Sequence, residues 1–63
     1  MRLEVERDGV ITVEEAQPGE SGWDAVRRFL KAGARAVRLV TPKGNGRWVG
    51  RRADGALVAL LRK

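Results

Sequence analysis

The sequence predicts a small two-layer α+β domain, ββαβββ in order, with one helix packed on a mostly antiparallel sheet. Three observations predict it. Two alternating runs flank an Asp-Gly turn at the start. One stretch with helical spacing follows. Three further β-type runs, separated by glycine-bearing turns, complete the chain.

The first run, RLEVER, alternates strictly and predicts a half-buried strand over 2–7. Leu3 and Val5 share one face; Arg2, Glu4 and Glu6 share the other. Asp8-Gly9 then fits a two-residue type I′ turn, whose two central residues both need positive φ. The second run, VITVEE, predicts a strand over 10–15, with Ile11 and Val13 on one side and Val10 and Thr12 on the other. Pro18-Gly19 ends the alternation.

A helix is predicted over 22–32. Ser21 can accept a hydrogen bond from the Asp24 amide, and Asp24 can reach back as a shortened capping box. Trp23, Val26, Phe29 and Leu30 form one apolar stripe, which assigns Trp23 to the helix side of the core. Arg27, Arg28 and Lys31 take the outer side. Asp24 precedes Arg28 by four residues, a favourable helical pair. Gly33 supplies the stop.

ARAVRLV predicts a third strand over 34–40, and TPKGNGR a turn. RWVGRR predicts a fourth strand over 47–52. Ala53-Asp54-Gly55 turns the chain again. ALVALL predicts a fifth strand over 56–61 that is apolar on both faces, and so is expected at the sheet centre or under a partner.

Sixty-three residues form one domain, 1–63, with a small core. At this size folding buries only about 60% of the unfolded chain's surface. There is no Cys and no His. Disulfides are excluded, and the commonest transition-metal ligands are missing. Self-association as a homodimer, or unusually efficient packing, remains as a source of stability. The longest apolar run has six residues, whereas a bilayer span needs about 20. The charged, alternating start has no apolar signal region. These features lead us to expect a cytoplasmic protein without a membrane partner.

Charge is polarised along the chain. Residues 1–24 carry two basic against seven acidic side chains, a net of −5. Residues 25–63 carry eleven against one, a net of +10. The basic part is a candidate for anionic partners.

No enzyme, cofactor or metal is expected. His, Cys and Tyr are absent, which removes the usual bases and nucleophiles. Glu4, Glu6 and Glu14 could meet across the first hairpin around a hard cation, but a solvated strand face is the preferred reading. KGNGR lacks the spacing of a phosphate loop. A backbone anion nest aided by Lys43 and Arg47 is weighed against a plain hairpin turn, and the turn is preferred.

Alternation in the fourth strand puts Arg47, Val49 and Arg51 on one face and Trp48, Gly50 and Arg52 on the other. Two arrangements follow. Trp48 is core with Arg47 and Arg51 outside, or Trp48 is exposed beside Arg38 and Arg52 as an aromatic platform. The second suits single-stranded nucleic acid, whose bases stack on aromatic rings while Arg and Lys follow the phosphates.

The run WDAVRRFLKAGARAVRLVTPKGNGRWVGRRADGALVALL resembles the helix–strand–hairpin layout of HicA-type messenger-RNA-cleaving toxins, through its LKAG helix end and Arg-bearing strand. The catalytic histidine of that family has no counterpart. The segment FLKAGARAVRLVTP is also similar to part of a nuclease family whose acidic and lysine metal-site pattern is not recoverable here. Neither resemblance extends to a catalytic site.

The resulting expectation is a non-enzymatic nucleic-acid-binding accessory domain of low sequence specificity, for RNA or DNA. Arg35, Arg38, Arg47, Arg51 and Arg52 are expected on phosphates, aided by Arg27, Arg28, Lys31 and Lys43, with Trp48 stacking on a base if it is exposed. The alternative is a protein-interaction module, or small regulatory subunit, that uses a sheet edge or its polarised charge.

Overall fold

The computed structural model describes residues 1–60. Its elements are β1 (Arg2–Arg7), β2 (Val10–Glu15), α1 (Gly22–Lys31), β3 (Ala36–Thr41), β4 (Gly44–Asn45), β5 (Trp48–Arg51) and β6 (Leu57–Leu60). One helix packs on a single antiparallel sheet, the predicted two-layer α+β architecture. The strand order is β2-β1-β3-β5-β6, with β4 extending the β3 ladder beside β5.

The first hairpin forms as its turn chemistry requires. Asp8 has φ 50° and Gly9 φ 82°, both positive as type I′ demands. Arg7 pairs with Val10 and Arg2 with Glu15, so the register holds over both strands.

Helix α1 starts at Ser21, whose Oγ accepts from the Asp24 amide at 3.1 Å. Asp24 does not close the box; its carboxylate turns to Arg27 at 3.5 Å. At the other end Gly33 adopts φ 110°. The Gly33 amide donates to the Leu30 carbonyl and the Ala34 amide to that of Phe29. This is a Schellman closure. It uses up Ala34, which explains why the third strand begins at Ala36 instead of 34.

The β3–β5 hairpin is interrupted. Val40 faces Asn45, but Val37 faces Val49. Three steps on β3 therefore match four on the return strand, a β-bulge. The Gly46 amide donates to the Leu39 carbonyl at 2.8 Å. A Cβ at Gly46 would lie 3.3 Å from that same oxygen, so the close approach favours glycine. The bulge divides the return strand into β4 and β5, a division that alternation alone does not reveal.

The last strand corrects an expectation. Among the described residues β6 pairs only with β5 and stands at the outer edge of the sheet, so of the two expected positions it does not take the central one. β5 occupies the place beside β3, so a hairpin continuing from β5 can add only outward. Leu61, the end of the predicted strand, lies outside the described residues.

The core lies between α1 and the middle of the sheet. Thr12, Val5, Val37, Val49 and Ala59 form one continuous cross-strand row on the helix side. Only the middle three are buried; Thr12 and Ala59 at the ends are exposed. Leu3, Ala25, Val26, Phe29 and Leu30 complete the core. Trp23 does not belong to it, contrary to the stripe reading: it is 52% exposed. It follows Gly22 by one residue, about 100° further round the helix and at the margin of the buried arc.

Leu3 is fully buried. Replacement by Ala should cost about 2–5 kcal/mol, against a total of roughly 3–9 kcal/mol for a domain of this length. Gly33→Ala should cost about 1–2 kcal/mol through its left-handed backbone. Urea denaturation of both variants checks the ranking: Leu3→Ala well below Gly33→Ala, and both below the parent.

Candidate nucleic-acid interface

The ten candidate contact residues do not share one surface. Trp48 and Arg38 occupy the sheet face away from α1. Arg38 donates from Nε to Glu4 Oε1, and its guanidinium lies 4.9 Å from the Trp48 ring centroid. Trp48 is half-buried. It is therefore not in the core beneath α1, and the cation covering it is already held by a carboxylate. Arg52 is not beside it: Arg52 Nη2 donates to Asp54 Oδ2 at 2.8 Å within the β5–β6 turn.

Arg28 is also engaged locally. Its Nε and Nη2 donate to the two Glu20 carboxylate oxygens at 2.8 and 3.0 Å. The guanidinium sits 4.4 Å from the Phe29 centroid and so caps the core from outside. The sequence suggested Asp24 as its partner; the chain instead folds Glu20 back before the helix. The Arg28 hydrogen bonds hold the Glu20 carboxyl below its ordinary pKa, helped by the Gln17 amide, and the Arg28 guanidinium is raised in turn. On the same flank Arg7 pairs with Glu14 at 3.3 Å.

The register also separates the acidic trio. Glu14 faces Leu3, on the helix side, while Glu4 and Glu6 belong to the opposite face. The three carboxylates cannot share one cation. Among the described residues no group of three or more metal-ligating side chains gathers, and no helix is long and apolar enough to cross a membrane.

Arg35 is exposed just after the Schellman turn, and Lys43 stands at the tip of the two-residue turn between Thr41 and Gly44. The glycine loop beyond it is drawn into the ladder, with the Gly46 amide given to Leu39, so it makes no open anion nest.

Four of the candidates do converge. Two recesses lie end to end along the flank of α1 that faces β5 and β6. Arg27, Lys31 and Arg51 rim one, above Leu30 and Leu57. Arg47 and Trp23 rim the other, above Val26, Leu39, Val49 and Ala59. Together they make a groove with an apolar floor and a basic rim. Arg47 and Arg51 stand about 13 Å apart along the strand. Of the four cations only Arg27 has a carboxylate partner among the described residues, and that pair is solvent-exposed.

Trp23 is the groove residue that stripe counting missed. Its signal was position: an indole at the margin of the apolar arc, next to Arg27 on the helix wheel. The comparisons add no relative: no family model matches the chain, and neither a curated protein nor a solved structure does.

The Glu20–Arg28 pair makes a pH prediction. Because the carboxyl pKa is lowered on folding, the pair's stabilisation is complete above the ordinary Glu value, about 4.3. It is lost as pH falls through the lowered value. Glu20→Gln should therefore flatten the acid side of the stability–pH curve. Thermal melts at stepped pH compare the two proteins, and identical acid slopes would contradict the assignment.

Proposed function

We propose that this chain is a non-enzymatic binding domain for single-stranded nucleic acid, held with low sequence specificity in the groove between α1 and strands β5–β6. The observation that carries the reading is the gathering of Arg27, Lys31, Arg47 and Arg51 around one apolar-floored groove that has exposed Trp23 at one end. The cations supply attraction to phosphates, and guanidinium groups can engage phosphate oxygens bidentately. Trp23 offers an indole face on which any base can stack. None of these contacts reads a base edge, so affinity depends on salt more than on sequence.

Arg28 and Arg38 take structural roles in this reading, because each is held in a part-buried pair with a carboxylate, and Arg52 lies outside the groove in the β5–β6 turn. Arg35 and Lys43 lie outside the groove. Trp48 gives up its role as platform to Trp23.

A second reading follows from the floor. Val26, Leu30, Leu39, Val49, Leu57 and Ala59 form an apolar strip beside a helix, bordered by cations. An acidic amphipathic helix of a protein partner has the complementary pattern.

Fluorescence anisotropy with labelled single-stranded oligonucleotides at two salt concentrations separates the readings. The parent should bind at low salt. Arg47→Ala with Arg51→Ala should lower the log–log salt slope by about 2. Trp23→Ala should cost about 1–3 kcal/mol, while Arg52→Ala should leave binding unchanged. No binding at low salt removes the nucleic-acid reading. Binding of an acidic helical peptide under the same conditions would favour the second.

A further inference from the structure

We infer that this chain forms a symmetric dimer by antiparallel pairing of β2 with β2 of a second copy. The inference stands apart from the nucleic-acid reading, because β2 lies at the opposite side of the sheet from the groove.

β2 is an outer strand of six residues, and Val10, Ile11 and Val13 on it are 62%, 53% and 64% exposed. Outer strands are usually guarded by Lys, Pro or a bulge. This one has none of these; its only charges are Glu14 and Glu15 at one end.

The direction of its free backbone groups is fixed. The type I′ turn makes Arg7 and Val10 a hydrogen-bonded pair. Pairs then alternate along the ladder, so Thr12 and Glu14 bond inward to β1 while Ile11, Val13 and Glu15 point outward. Two observations agree. The Glu6 carbonyl, opposite Ile11, is turned away from β2 to accept from Arg35 at 2.9 Å, and the Ala16 amide is turned inward to Met1 at 3.0 Å.

A two-fold axis through Thr12 makes this edge self-complementary. Ile11 then faces Val13 of the second copy, twice, giving two apolar cross-strand pairs and the backbone bonds of four outward-facing residues. Glu14 faces Val10 of the second copy, whose own ladder neighbour is Arg7. Acidic ends thus approach a cation. An axis through Val13 would instead leave a single apolar pair, Val13 with its own copy, and set Ile11 against Glu15 and Thr12 against Glu14. The favoured axis is perpendicular to the sheet and keeps both α1 helices on the same side. A second copy also answers the shortage of core in a chain of 63 residues without Cys.

Sedimentation velocity of the full chain over a concentration series tests the inference, with hydrogen exchange of single amides as the structural readout. The parent should sediment as a dimer. The Ile11 and Val13 amides should exchange on the order of tenfold or more slowly in the dimer than in dilute monomer, while Thr12 stays protected in both. Ile11→Lys with Val13→Lys, at sites already exposed, should keep the circular dichroism of the fold and yield monomer with fast exchange at positions 11 and 13. A parent that stays monomeric at the highest concentration overturns the proposal. So does a dimer that survives the double substitution, or one in which the two amides exchange freely.

Discussion

An α-helix is about 10–12 Å across with its side chains, and the sheet beneath α1 is five strands wide, about 19 Å between its outer strands. One helix of ten residues cannot cover that width. The row from Thr12 to Ala59 shows the consequence residue by residue: Val5, Val37 and Val49 are sealed under the helix, and the two ends are not. The groove beside β5 and β6 is the margin that this mismatch leaves on the helix side. Both functional readings of the molecule depend on it.

The same topology decides what becomes of the charge. The acidic and basic parts of the chain do not form two poles. The crossover through α1 inserts β1 between β2 and β3, so early carboxylates meet later guanidiniums: Glu4 with Arg38 across the ladder, and Glu20 with Arg28 over Phe29. These pairs cap apolar rings as much as they balance charge, since each guanidinium also lies against an aromatic face. Lys31, Arg47 and Arg51, without a carboxylate partner among the described residues, then line the groove along β5 and the adjoining flank of α1, while Arg35 and Lys43 lie elsewhere.

The sequence shows the local elements well and their lateral arrangement poorly. The first hairpin was legible to the residue because alternation and the Asp-Gly turn are short-range signals with one steric solution. The helix was legible from Ser21 and Gly33. The bulge at Gly46 was not, because a single inserted residue leaves alternation intact on either side and shows itself only against the partner strand. Nor was the edge position of β6, because an apolar strand reads alike at the centre of a sheet and at an uncovered margin. The sequence assigned Trp23 to the core and left Trp48 open between core and surface; in the fold Trp23 is exposed beside the groove and Trp48 is half-buried on the far face of the sheet. Counting a stripe does not tell its middle from its rim, and at the rim the sheet extends beyond what this helix covers.

The two indoles make the most direct test available, because they report from opposite faces of one small molecule. In a nitrogen–proton correlation spectrum each gives a separate side-chain N–H signal. On addition of a single-stranded oligonucleotide the account predicts that the Trp23 indole shifts strongly, together with the backbone signals of Arg47 and Arg51, while the Trp48 indole beneath Arg38 stays in place. Movement of Trp48 with Trp23 unchanged would contradict it, and would move the binding surface to the face that α1 does not touch.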